Sequence, residues 1–177
     1  MSDQTYQPHV YRKSGGDALV IADGGGSFQR ELTTAAAATL SVSQALHDGR
    51  TIVLNLAAGI TSTLPPATGS GARFRFVVGP TALSGGSHVI KVASGTDYMR
   101  GTAGVVASAG AGAAKAWATA DSGTVATESD TITLNGTTTS GFPGTEVEVE
   151  DIAANVWAVV ISGKASGTEA TPFSAAV

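Results

Sequence analysis

The 177-residue chain contains no cysteine, which removes disulfides, thiolate metal sites and thiol nucleophiles together. Such a chain suits a reducing cytosol and must draw its stability from packing or oligomerisation. Charge is scarce too: Asp, Glu, Lys and Arg make up 14% of residues, against roughly 25% in an average globular protein. The 10 Lys and Arg are spread thinly against 14 Asp and Glu, for a net charge of -4. No basic cluster therefore supplies the counterion release that drives binding to nucleic acid. No run of about 18 apolar residues is present to span a bilayer. Met1-Ser2-Asp3-Gln4-Thr5-Tyr6 lacks the basic and apolar regions of a signal peptide, so a soluble protein that is not conventionally secreted is expected.

Glycine is abundant, at 23 residues, with Thr, Ser and Ala supplying much of the rest. Leu, Ile, Val and Phe recur in every segment after the first few residues, enough for a packed core rather than a disordered chain. The length fits one domain plus an arm. Residues 1–32 read as that arm: polar and aromatic up to Lys13, broken at Ser14-Gly15-Gly16, then a short apolar run Ala18 to Ala22 and a Gly24-Gly25-Gly26 hinge. Tyr6, Pro8, Val10, Tyr11, Leu19 and Ile21 give it apolar anchors at strand-like spacing, with His9 and Arg12 among them. These eight residues are the expected partner-binding set.

Residues 33–177 read as an all-β body. Short apolar segments recur between turn signals: Thr39 to Val42, Thr51 to Leu56, Ile60 to Leu64, Arg73 to Val78, Val89 to Ala93, Gly104 to Ala107, Thr131 to Leu134, Glu146 to Glu150 and Val156 to Ile161. Pro65-Pro66 must stop one of them, since proline donates nothing to a ladder. The regular spacing predicts an antiparallel β-sandwich or β-barrel-like domain. Gly104, Gly110 and Gly112 argue against a helix in the Ala-rich stretch, at about 1 kcal/mol each, so at most one short helix is expected. Residues 108–116 read as a mobile surface loop, with Trp117 marking where packing resumes.

Little in the sequence carries catalytic chemistry. Glu146, Glu148 and Glu150 point to one side of a strand, the valines between them to the other, which reads as a solvated face rather than a calcium site and would also protect an edge strand. His9, His47 and His88 lie in separate segments with no metal-ligand spacing. There is no Gly-x-Ser-x-Gly elbow and no phosphate-loop Lys-Ser/Thr, and Asn135-Gly136-Thr137 reads as a turn. Trp157 sits in a segment apolar on both faces and reads as buried; Trp117 is the freer of the two. No catalytic residue, cofactor or metal is expected, and a glycan hydrolase would need an acid pair across a cleft.

The stretch Gly59-Ile60-Thr61-Ser62-Thr63-Leu64-Pro65-Pro66-Ala67-Thr68-Gly69-Ser70-Gly71-Ala72-Arg73-Phe74-Arg75-Phe76-Val77-Val78-Gly79 resembles a module of tailed-bacteriophage virion proteins of the capsid decoration (cement) and head-fibre type. The likeness continues through Ser87 to Val92, Asp130 to Thr138 and Gly167 to Phe173, about residues 39–173, and the arm also looks like the start of such proteins. The resemblance implies a β-rich, non-enzymatic homotrimer, made in the host bacterial cytoplasm, that binds the major capsid protein on the outer surface of the phage head. It carries over no catalytic residues. A second reading, from the tryptophans and the Ser/Thr/Gly-rich loops, is a head- or tail-fibre component that binds host glycans.

Overall fold

A computed structural model describes residues 32–108 and 113–177 together with two short strands, β1 (Val10–Arg12) and β2 (Leu19–Ile21). β1 and β2 pair antiparallel with each other in a two-stranded sheet of their own. The rest is all-β, built on two sheets, with α1 (Gln44–His47) and a 3₁₀ turn (Val125–Thr127) as the helical pieces among the described residues.

From β3 (Leu32–Ala35) the chain alternates between sheets. β3, β5 (Thr51–Leu54) and β7 (Arg73–Val78) join one sheet, while β4 (Thr39–Ser41), β6 (Thr61–Thr63) and β8 (His88–Lys91) join the other. A strand that crosses to the opposite sheet and returns one position over runs in the same direction as before, so these neighbours pair in parallel. The second half then reverses. β9 (Tyr98–Ala107) and β10 (Ala114–Ala118) form a hairpin ladder, as do β12 (Glu146–Ala153) and β13 (Val156–Ala165). β12 lies between β7 and β13, antiparallel to both, and β13 runs parallel to β9. β11 (Thr131–Leu134) and β14 (Phe173–Ser174) complete the other sheet. The orders are β10-β9-β13-β12-β7-β5-β3 and β14-β11-β8-β6-β4.

Both sheets are thus mixed, which corrects the expectation of antiparallel pairing. Short strands between turns look alike in sequence whether the next strand folds back or crosses over. Two local expectations are also corrected. β9 starts at Tyr98 rather than Gly104, and Ala114 to Ala116 belong to strand β10 rather than a loop. The other expected segments overlap strands, and β6 stops two residues short of Pro65.

Period-2 alternation builds the core. Ile52 and Leu54 of β5, Phe74, Phe76 and Val78 of β7, Val147 and Val149 of β12, and Trp157, Val159 and Ile161 of β13 join Ile90, Ile132 and Leu134 of the second sheet in one buried cluster. Phe74 and Trp157 meet with ring centroids 5.8 Å apart. The loops before β6 and β8 approach backbone to backbone: the Ser84 N–H donates to Ala57 O at 2.8 Å, and a Cβ on Gly59 would stand 2.1 Å from Ser87 O. Gly59 also has φ +88, so no other residue fits there without strain.

Phe76→Ala should cost about 3–5 kcal/mol, through lost transfer energy and a residual cavity. Leu46→Ala, at a side chain 62% exposed, should stay within about 0.5 kcal/mol. Urea midpoints compared at constant slope check both.

Candidate functional site

The outward face of the seven-stranded sheet carries a charge ladder set by strand register. Arg73 stands opposite Glu150, and Arg75 opposite Glu148. Arg73 Nη2 lies 2.9 Å from Glu150 Oε2, Arg75 pairs closely with Glu146 and at 3.8 Å with Glu148, and Arg75 Nη1 donates to Thr51 Oγ1 at 3.2 Å. Across the next two strands the same rows continue as Ala158 then Arg100, and Val160 then Thr102. Between the ladder and β9 lies an open trough of about 590 Å³, whose floor includes Ala158 and Val160.

Arg100 closes one side. It lies over the Tyr98 ring, 4.4 Å from the centroid, and its guanidinium bonds Glu128, Asp121 Oδ1 at 3.1 Å and Ala120 O at 2.9 Å. Glu128 is buried and also accepts the N–H groups of Ser122 and Gly123. The bond from Arg100 lowers the Glu128 pKa against the opposing effect of burial, and that same bond raises the pKa of Arg100.

Where strand parity turns a carboxylate inward, it holds a turn instead. Asp151, 1% exposed, accepts the N–H groups of Thr68, Gly69 and Ser70 and the hydroxyls of Thr68 and Ser70, at 2.7–3.1 Å. Burial pushes its pKa up, but the Ser70, Thr68 and Gly69 N–H groups and the Ser70 hydroxyl outweigh that and hold it at about 2. Asp130 likewise takes the N–H groups of Ala176 and Val177, and Asp97 that of Ala67.

The expected site residues fall as follows. Tyr6, Pro8 and His9 lie outside the described residues. Val10, Tyr11 and Arg12 fall in β1, and Leu19 and Ile21 in β2, with Val10 opposite Ile21 and Arg12 opposite Leu19. The Glu146, Glu148 and Glu150 face is outward as expected, but β12 is paired on both sides, so these charges protect no edge. Trp157 is fully buried, and Trp117 packs against the core. The Asn135 turn is present: Asn135 Oδ1 accepts the N–H groups of Thr137 and Thr139, with Gly136 at φ +76. His47 Nδ1 accepts the Ser43 N–H at 3.1 Å. Among the described residues, no group of three His, Asp or Glu is placed to hold a metal.

From sequence His88 is weighed only as a metal ligand and Asp151 is given no turn-holding role; both occupy inward positions of their strands, the signal that could have found them. His88 is fully buried opposite Leu134, and neither ring nitrogen has a hydrogen-bond partner among the described residues. Burial lowers its pKa from 6.5 to about 4.

Two acid-sensitive windows follow. Between pH 6.5 and about 4 the unfolded chain protonates His88 while the folded one does not. Stability should therefore fall by about 3 kcal/mol as pH drops through that range. His88→Leu should abolish this loss and leave the protein more stable at pH 4.5. Asp151 contributes stability above its unfolded pKa of 3.8 that is lost as pH falls toward 2, about 2 kcal/mol in all. Asp151→Asn should lower stability at pH 7 by about 1–3 kcal/mol, since the N–H groups of residues 68–70 lose their anion. Denaturant unfolding of the three proteins from pH 7 to 2.5 reads both windows.

No known family, curated protein or solved structure matches this chain.

Proposed function

We propose that the chain is a virion structural protein, a capsid decoration protein that binds the outer surface of a tailed-phage head and stabilises it through contacts with capsid subunits. The observation that carries this reading is the division of the chain. A two-sheet body with one continuous core is preceded by residues whose strands, β1 and β2, join neither body sheet. The body serves as the rigid unit, a sandwich of two mixed sheets. The segment before it is the grip, offering main-chain and side-chain groups to a neighbouring chain. Homotrimers on a symmetric shell would add many weak contacts by multivalency, with the major capsid protein as partner. The sequence likeness to virion proteins over residues 39–173 supports the same assignment.

The composition and side-chain chemistry favour a non-enzymatic role. Among the described residues, Asp151 and Asp130 hold turns and Glu146, Glu148 and Glu150 face the arginine ladder, rather than forming an acid pair across a cleft. The glycan-binding alternative loses Trp157 as a stacking platform.

Deleting residues 2–16 should leave the melting transition of the body in place and abolish binding to capsids lacking the protein, measured by co-sedimentation. Unchanged capsid occupancy would remove the arm from the mechanism.

A further inference from the structure

We infer that the trough on the outer face of the seven-stranded sheet is a saccharide-binding site, taking a neutral oligosaccharide laid across β12, β13 and β9. This goes beyond capsid attachment and gives the glycan-binding alternative a location away from the tryptophans.

Three properties of the trough select that ligand. First, its walls present donors and acceptors side by side: the guanidiniums of Arg73 and Arg75 against the carboxylates of Glu150 and Glu148 on one flank, Arg100 and the Thr102 hydroxyl on the other. Adjacent hydroxyls of a sugar act as paired donors and acceptors, so guanidinium and carboxylate groups set side by side suit them. Exposed ion pairs of this kind contribute about 0–1 kcal/mol each to stability, so the ladder matters more as a polar surface than as a brace. Second, the floor between the walls is aliphatic and shallow. Ala158 and Val160, the latter 57% exposed, stand between Glu150 and Arg100 and between Glu148 and Thr102. Two strand spacings, about 10 Å, separate the polar flanks, leaving room for the C–H face of a pyranose on the floor and its hydroxyls on both sides. Third, the competing ligand classes fit poorly. Arg73, Arg75 and Arg100 each already face a carboxylate, and the four arginines that line the trough, Arg50 among them, are outnumbered by Glu146, Glu148, Glu150, Asp121 and Glu128 beside them, so there is no surplus positive charge for a phosphate or an acidic glycan. β12 and β13 are hydrogen-bonded on both sides, so the floor has no free main chain for a peptide strand to pair with.

The test is to titrate maltotriose, cellotriose and chitotriose into isotope-labelled protein while following backbone amide resonances. At least one sugar should move the amides of Glu148, Val160 and Thr102 saturably, with Kd on the order of 1 mM or below. Val160→Arg, which fills the floor from an exposed position, and Glu148→Gln, which removes an acceptor without touching the core, should each weaken binding at least tenfold with the melting temperature unchanged. The site is overturned if none of the three sugars moves these amides, or if Val160→Arg binds as well as the parent. It is also overturned if the same amides shift with protein concentration alone, which would mark the face as an interface between copies. Capsid co-sedimentation of Val160→Arg separates the two functions: occupancy should be retained, and its loss would make the trough a capsid contact instead.

Discussion

The strict alternation of β7 is the constraint on which the rest of the structure depends. Its inward side chains, Phe74, Phe76 and Val78, fill the middle of the core, and its outward Arg73 and Arg75 form one half of the charge ladder. The strand is also where the architecture changes direction, being parallel to β5 on one side and antiparallel to β12 on the other. A slip of one residue in the β7–β12 register would put phenylalanines in water and arginines against Trp157. The four sheet crossings from β3 to β7 end at this strand, and the β12–β13 ladder joins the sheet through it.

The same parity rule gives carboxylates opposite duties. On β12, Glu146, Glu148 and Glu150 face outward and meet arginines, while Asp151, one position on, faces inward and gathers the amides of a three-residue turn. Asp130, Asp97 and Glu128 repeat that use at other turns. In a chain without cysteine these buried carboxylates replace covalent staples, fixing turns through charge-assisted hydrogen bonds. Of the buried groups, Asp151, held ionised by its turn, and His88, which has no hydrogen-bond partner among the described residues, are the two expected to make stability sensitive to acid.

Much of this was legible in the sequence, because period-2 alternation writes strand faces directly: Phe74 and Phe76 inside, Arg73 and Arg75 outside, the β12 valines in and its glutamates out. What was not legible depends on contacts distant in sequence. Parallel pairing of β3 with β5 and of β5 with β7 has no local mark, since the turns that cross between sheets use the same glycines and prolines as hairpins. The Ala-rich β10 has weak strand propensity and is held by its ladder to β9, so propensity read it as a loop. The trough was invisible for the same reason: Thr102, Val160 and Glu148 become neighbours only through register. The arm set was read from apolar residues at strand-like spacing, and of it Val10, Tyr11, Arg12, Leu19 and Ile21 fall among the described residues, in the paired strands β1 and β2.

A two-sheet body whose turns are clasped by buried carboxylates, with β1 and β2 joining neither of its sheets, is the basis on which a capsid decoration role is proposed. Its exposed sheet face then remains available to a second ligand. The most direct measurement is imaging of virions assembled with and without the protein. Extra density on the outside of the capsid shell, at symmetric lattice positions, is the expected result. Density confined to the tail, or no difference between the two particles, would contradict a capsid decoration role.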